Sequence, residues 1–129
     1  MKYNDFIGKV QNRARLGTSS KAIRATRATL EVLGQRLFGG EAKDLAAQLP
    51  EEIGIYLEQD VPSEAFGLDE FYERVSEKEG VDLPGAVYHA QSVISVVQEA
   101  VSQGEMDDVR AQLPDEYDPL FEAEIKETG

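Results

Sequence analysis

The chain has 129 residues, no cysteine, and 13 basic against 25 acidic residues, a formal net charge of −12. A domain of that length buries about two thirds of its unfolded surface and needs no disulfide or metal to hold a core. Without cysteine, disulfide frameworks, thiolate metal sites and cysteine nucleophiles are excluded, which fits a reducing cytoplasm, and the acidic balance argues against general nucleic-acid binding.

The start, Met1-Lys2-Tyr3-Asn4-Asp5, has no apolar run behind it. No stretch of about 18 apolar residues occurs, so a soluble protein without a membrane partner is expected. The first predicted helix covers 4–15, with Asn4 as its cap. Thr18 caps a long helix over 19–38, on which Ile23, Thr26, Leu30, Leu33 and Leu37 recur at three and four. Gly39-Gly40 supply the left-handed residue that ends such a helix. A short helix follows over 41–48. The stretch AAQLPEEIGIYL, from Ala46 to Leu57, then opens a helix over 50–58. Residues 59–67, with Pro62 and Gly67, read as a linker. The same order then recurs: a helix over 69–79 capped by Asp69, a long one over 83–103 capped by Asp82 with Pro84 in its first turn, and Gly104 at its end. Helices over 105–112 and 114–121 close the series, and the charged tail 122–129 is expected to fray.

The recurrence extends to residue identity. At an offset of 64, Ala22 meets Ala86, Val32 meets Val96, Gly40-Glu41 meets Gly104-Glu105, and Asp44 meets Asp108. Ala47-Gln48-Leu49-Pro50 meets Ala111-Gln112-Leu113-Pro114, and Glu52 meets Glu116. Self-similarity at a fixed period marks a duplicated supersecondary unit. Proline disfavours helix in the residue before it and suits the first turn of a new helix. The duplicated motif therefore reads as a joint: end a short helix, bury Leu49 or Leu113, start another. A unit of about 55 residues is marginal alone. An all-α fold is expected, with units 3–58 and 68–121 packed around one shared core in a single domain with approximate twofold symmetry.

The stretches ATRATLEVLGQRLFGGEAKDLAAQLPEEI, LDEFYERVSEKEGV and SQGEMDDVRAQLPDEYDPLF carry a likeness to a known family. Over about Tyr3 to Phe121 the chain resembles the bacterial and archaeal domain-of-unknown-function family numbered 2267. The resemblance implies a small helical protein with two related halves. It brings no activity and no site residues.

Candidate sites are few. His89 is the only histidine, with no serine elbow and no Glu-x-x-His pair, since position 86 is Ala. Gly104-Glu105-Met106-Asp107-Asp108 gathers three carboxylates but lacks the alternating spacing of a calcium loop. Those acids read as the charged start of a helix, with a weak metal contact as the alternative. Gly39-Gly40 is not a phosphate loop, because no Gly-Lys-Ser/Thr follows. No catalytic residue, cofactor or tightly held metal is expected. The basic residues are concentrated early: residues 1–36 carry net +6 and the rest −18. Lys21, Arg24 and Arg27 fall three apart on one helical face and are the candidate partner-binding set, weighed against a solvated face balanced by the chain's own acids. The leading reading is a non-enzymatic module that binds another protein or itself. The alternative is a ligand-binding or hydrolytic cleft between the two units, built from acids that a sequence does not place in space.

Overall fold

The computed structural model describes residues 1–127. Among them every regular element is helical and no strand occurs: α1 (Tyr3–Arg13), α2 (Ser19–Arg36), α3 (Glu41–Ala46), α4 (Glu51–Gly54), α5 (Leu68–Glu79), α6 (Leu83–Ala100), α7 (Gln103–Ala111), a 3-10 turn (Asp115–Tyr117) and α8 (Asp118–Glu122). None of these helices is long and apolar enough to cross a membrane.

The two long helices form the centre. α2 packs on α1, α5 and α6, and α6 packs on α1, α5 and α8. Being covered on several sides, α2 buries more than one stripe: Ala22, Ala25, Ala28, Thr29 and Val32 join Thr26, Leu30 and Leu33. Ile23, expected in the stripe, is only partly buried. Small alanines let neighbouring helices approach closely, and the larger side chains fill between them. Phe6, Leu30, Leu33, Ile53, Phe71, Ile94, Val97 and Leu120 belong to one connected apolar core drawn from both halves of the chain.

Helix ends follow local chemistry in part. The Thr18 hydroxyl accepts from the Lys21 N–H, and the Asp82 carboxylate from the Gly85 N–H. Asn4 and Asp69, expected as caps, instead lie inside the first turns of α1 and α5, whose cap positions are Lys2 and Gly67. Glu116 does the work for α5 from outside, its Oε1 accepting the Leu68 N–H at 2.8 Å. Gly104, expected to end α6, lies within α7 and has no positive φ. α6 stops earlier, because Val101 turns extended (ψ 165°). Leu37 does the same after α2 (ψ 152°), tucking its side chain into the core. Gly39 and Gly40 then both take positive φ, 65° and 82°, which is cheap only for glycine.

Leu49 and Leu113 are buried, and Pro50 and Pro114 stand at the N-cap positions of the next helical segments. α4 is shorter than the expected 50–58, and the second Gln-Leu-Pro segment begins as a 3-10 turn before Asp118-Pro119 open α8. Residues 55–57 cross α2 so closely that a Cβ on Gly34 would lie 2.6 Å from the Leu57 carbonyl oxygen. Residues 59–67 are strapped along α2: Gln59 donates to the Glu31 carbonyl, Ser63 to that of Leu37, and the Glu64 N–H to that of Gln35. The Phe66 carbonyl accepts from buried Arg36 and from the Tyr117 hydroxyl. Burial pushes that hydroxyl's pKa up to about 12, so it stays a donor at any physiological pH.

Candidate functional site

α3 and α7 pack against each other. Each begins with an acid: Glu41 opens α3, and Glu105 lies in the first turn of α7. Ser102-x-x-Glu105 is the sequence of a capping box, in which the serine takes the glutamate's N–H and the glutamate carboxylate takes the serine's. Only half of it forms. The Ser102 hydroxyl accepts the Glu105 N–H at 3.2 Å, but the Ser102 N–H is taken by Gln48 Oε1 at 2.8 Å. The displaced Glu105 carboxylate turns instead toward Glu41 and Asp108, and one oxygen from each of the three lies within 4.8 Å of the others.

The environment of this cluster is unfavourable for charge. Glu41 and Glu105 are each only 8% exposed, while Asp108 reaches solvent. Among the described residues none of Glu41, Asp44, Glu105 and Asp108 has a basic partner within 4.0 Å. Burial, followed by the hydrogen-bonding and charged Glu41 and by the charges of Asp44 and Asp108, raises the Glu105 pKa from 4.5 to about 7. Its Oε2 is buried with no hydrogen-bond partner. The arrangement can hold a shared proton or a hard cation.

Gln112, 64 positions after Gln48, grips the other loop: its Oε1 accepts the Phe38 N–H at 3.1 Å and its Nε2 donates to the Phe38 carbonyl at 2.9 Å. Phe38 and Ser102 are themselves 64 apart. So held, the Phe38 side chain stands 54% exposed. It borders a depression of about 350 Å³ lined also by Leu37, Lys43, Leu57, Glu58 and Val61. A second, of about 350 Å³, shares Lys43 and Glu58 and is lined by Leu49, Glu51 and Ile55. Ile55 and Val61 are 56% and 45% exposed. Together the linings of the two depressions carry Phe38, Ile55 and Val61 beside the acids Glu51, Glu58 and Asp60 and one Lys43.

The residues singled out from sequence fall as follows. Lys21, Arg24 and Arg27 are all exposed along α2. Arg27 is engaged by Glu31 at 3.1 Å and lies over the Tyr56 ring, while Lys21 and Arg24 have no acidic partner within 4.0 Å among the described residues. Arg13, just before them in sequence, is buried and held by Glu99 and Glu127. His89 does have a carboxylate: its Nδ1 lies 2.5 Å from Oε2 of Glu79, which is 3% exposed. That pair ties α5 to α6 and has no neighbouring nucleophile in its hydrogen bonds. The structure keeps Glu105 and Asp108 together as their spacing suggests and adds Glu41 from another loop, which spacing within one segment could not show.

Fold and surface together define a small all-α protein with a buried acid cluster and an exposed apolar groove. Residues 3–120 match the family model described as "Uncharacterized conserved protein (DUF2267)", and the chain belongs to that family. Comparison with curated proteins gave no match.

Proposed function

We propose that this chain is a non-enzymatic protein-interaction module whose groove beside Phe38 receives a basic amphipathic helix of a partner protein. The observation that carries the reading is the exposure of Phe38, Ile55 and Val61 in the linings of two depressions that share Lys43 and Glu58 and also hold Glu51 and Asp60. Apolar anchors in such a groove supply affinity, and the acids select basic flanks. The module itself is two related helical units, 3–58 and 68–121, joined by 59–67 and closed on one core about an approximate twofold axis. The reciprocal bonds of Gln48 to Ser102 and of Gln112 to Phe38, at positions 64 apart, support that arrangement.

A second reading has its own observation. Lys21 and Arg24 are exposed and have no acidic partner within 4.0 Å among the described residues, so the basic face is available to an acidic partner, including the acidic surface of a second copy. The hydrolytic-cleft alternative has less behind it, since the one histidine is engaged by Glu79.

The test uses a fluorescein-labelled amphipathic Leu–Lys helical peptide as probe, with a scrambled peptide of equal charge beside it. Binding of the amphipathic form alone, weakened at least tenfold by Phe38→Asp with Ile55→Asp, is expected. Equal binding of both peptides, or indifference to the substitutions, rejects the groove. If the Lys21, Arg24 and Arg27 triple change to Gln instead removes self-association or binding of an acidic peptide, the basic face is the site.

A further inference from the structure

We propose that Glu41, Glu105 and Asp108 are the protein ligands of a weak, exchangeable calcium site between α3 and α7. The first support is geometric. Two oxygens that bind one calcium at about 2.4 Å are at most about 4.8 Å apart. The three carboxylates each place an oxygen inside that span.

The second is electrostatic. Two of the three are nine-tenths buried, and no basic side chain among the described residues neutralises them within 4.0 Å. Facing carboxylates without compensation are costly in a protein interior, so the site demands positive charge from outside the chain. Asp44 adds a fourth negative charge near Glu105.

The third is an orphaned atom. Glu105 Oε2 is buried and accepts no hydrogen bond. Gln48 has taken the backbone N–H that a glutamate at this position of a capping box would otherwise bind. Its lone pairs are left to a ligand.

The donor set selects the ion. All-carboxylate oxygen ligands suit hard cations, not the copper or zinc that favour nitrogen and sulfur. Magnesium, at about 2.1 Å, demands near-octahedral geometry and dehydrates reluctantly, whereas calcium tolerates irregular geometry and completes its shell with water. Exposed Asp108 gives water that access. Three monodentate-capable acids without a dedicated loop give modest affinity, consistent with exchange rather than retention. The rival occupant is a proton. Calcium and a proton compete for the same carboxylate oxygens.

The inference does not rest on the groove. Calorimetric titration of the chelator-stripped chain with calcium chloride, and separately with magnesium chloride, tests it. Expected are one calcium per chain and weaker magnesium binding. Asp108→Asn, at an exposed position, and Glu105→Gln, a neutral isostere, should each weaken calcium binding at least tenfold while the helical circular-dichroism spectrum is unchanged. No calcium heat at millimolar concentration overturns the proposal and leaves a proton-sharing cluster. Calcium binding that survives both substitutions, or magnesium bound as tightly, overturns it equally.

Discussion

Replacing Glu105 with Gln should stabilise this protein above neutral pH, against the usual direction for a buried position. The native carboxyl holds its proton up to about pH 7, whereas the unfolded chain releases it near 4.5. Where only the native state holds the proton, stability falls as pH rises. The favourable term is therefore complete below 4.5, is lost progressively toward 7, and is flat above. Carried at 1.36 kcal/mol per pH unit, the interval sets a ceiling of about 3.4 kcal/mol. Water reaching the cluster past exposed Asp108, and relaxation of the pair, reduce this to about 1–2 kcal/mol. Gln keeps the volume and removes the titration. Thermal melts in chelator should then show Glu105→Gln about 3–8 °C above the parent at pH 8. At pH 5, only a fifth of the way from 4.5 to 7, the advantage should nearly vanish. Equal melting temperatures at pH 8, or an advantage independent of pH, would refute the buried-acid reasoning.

Other substitutions probe the joints. Gln112→Ala removes both bonds to the Phe38 backbone and should cost about 1–2 kcal/mol in urea unfolding; Gln48→Ala, with one bond to Ser102, should cost about 1 kcal/mol. Leu49→Ala should cost more, about 2–5 kcal/mol, because the leucine is buried at the joint. Gly34→Ala should destabilise by about 1–3 kcal/mol, since its Cβ would meet the Leu57 carbonyl oxygen at 2.6 Å and the backbone has to shift. The Lys21, Arg24 and Arg27 change to Gln should leave chemical-denaturation stability within about 1 kcal/mol, because all three are exposed.

Much of the helical plan could be read from local pattern. Thr18 and Asp82 cap as their chemistry dictates, and Leu49-Pro50 and Leu113-Pro114 end one segment and begin another with the leucine inward. What local pattern could not supply is the identity of partners from distant segments. Asp69 looks like a cap only if nothing else competes, and α5 receives Glu116 instead; Asn4 lies inside α1, whose Lys2 cap position has no side-chain cap bond. Gln48 reads as a neutral surface residue within its own helix, because its role is to accept the Ser102 N–H 54 residues on. The same holds for Glu79 beside His89, and for Glu41 beside Glu105. One signal was present: the offset of 64 aligns Glu41 with Glu105 and Asp44 with Asp108. The sequence thus carries acids at positions 64 apart, but that Glu41 meets Glu105 in space is seen only in the structure.

The most direct measurement on the account is whether each half needs the other. Residues 1–62, isotopically labelled, should give a collapsed, poorly dispersed proton–nitrogen spectrum alone. Each half exposes the faces of α2 or α6 that the whole chain buries in one core. Addition of unlabelled 63–129 should produce a single dispersed spectrum matching the corresponding residues of the intact chain. A dispersed spectrum for 1–62 alone, with its own cooperative melting transition and no change on adding the second half, would contradict the shared core and, with it, the acid junction between α3 and α7.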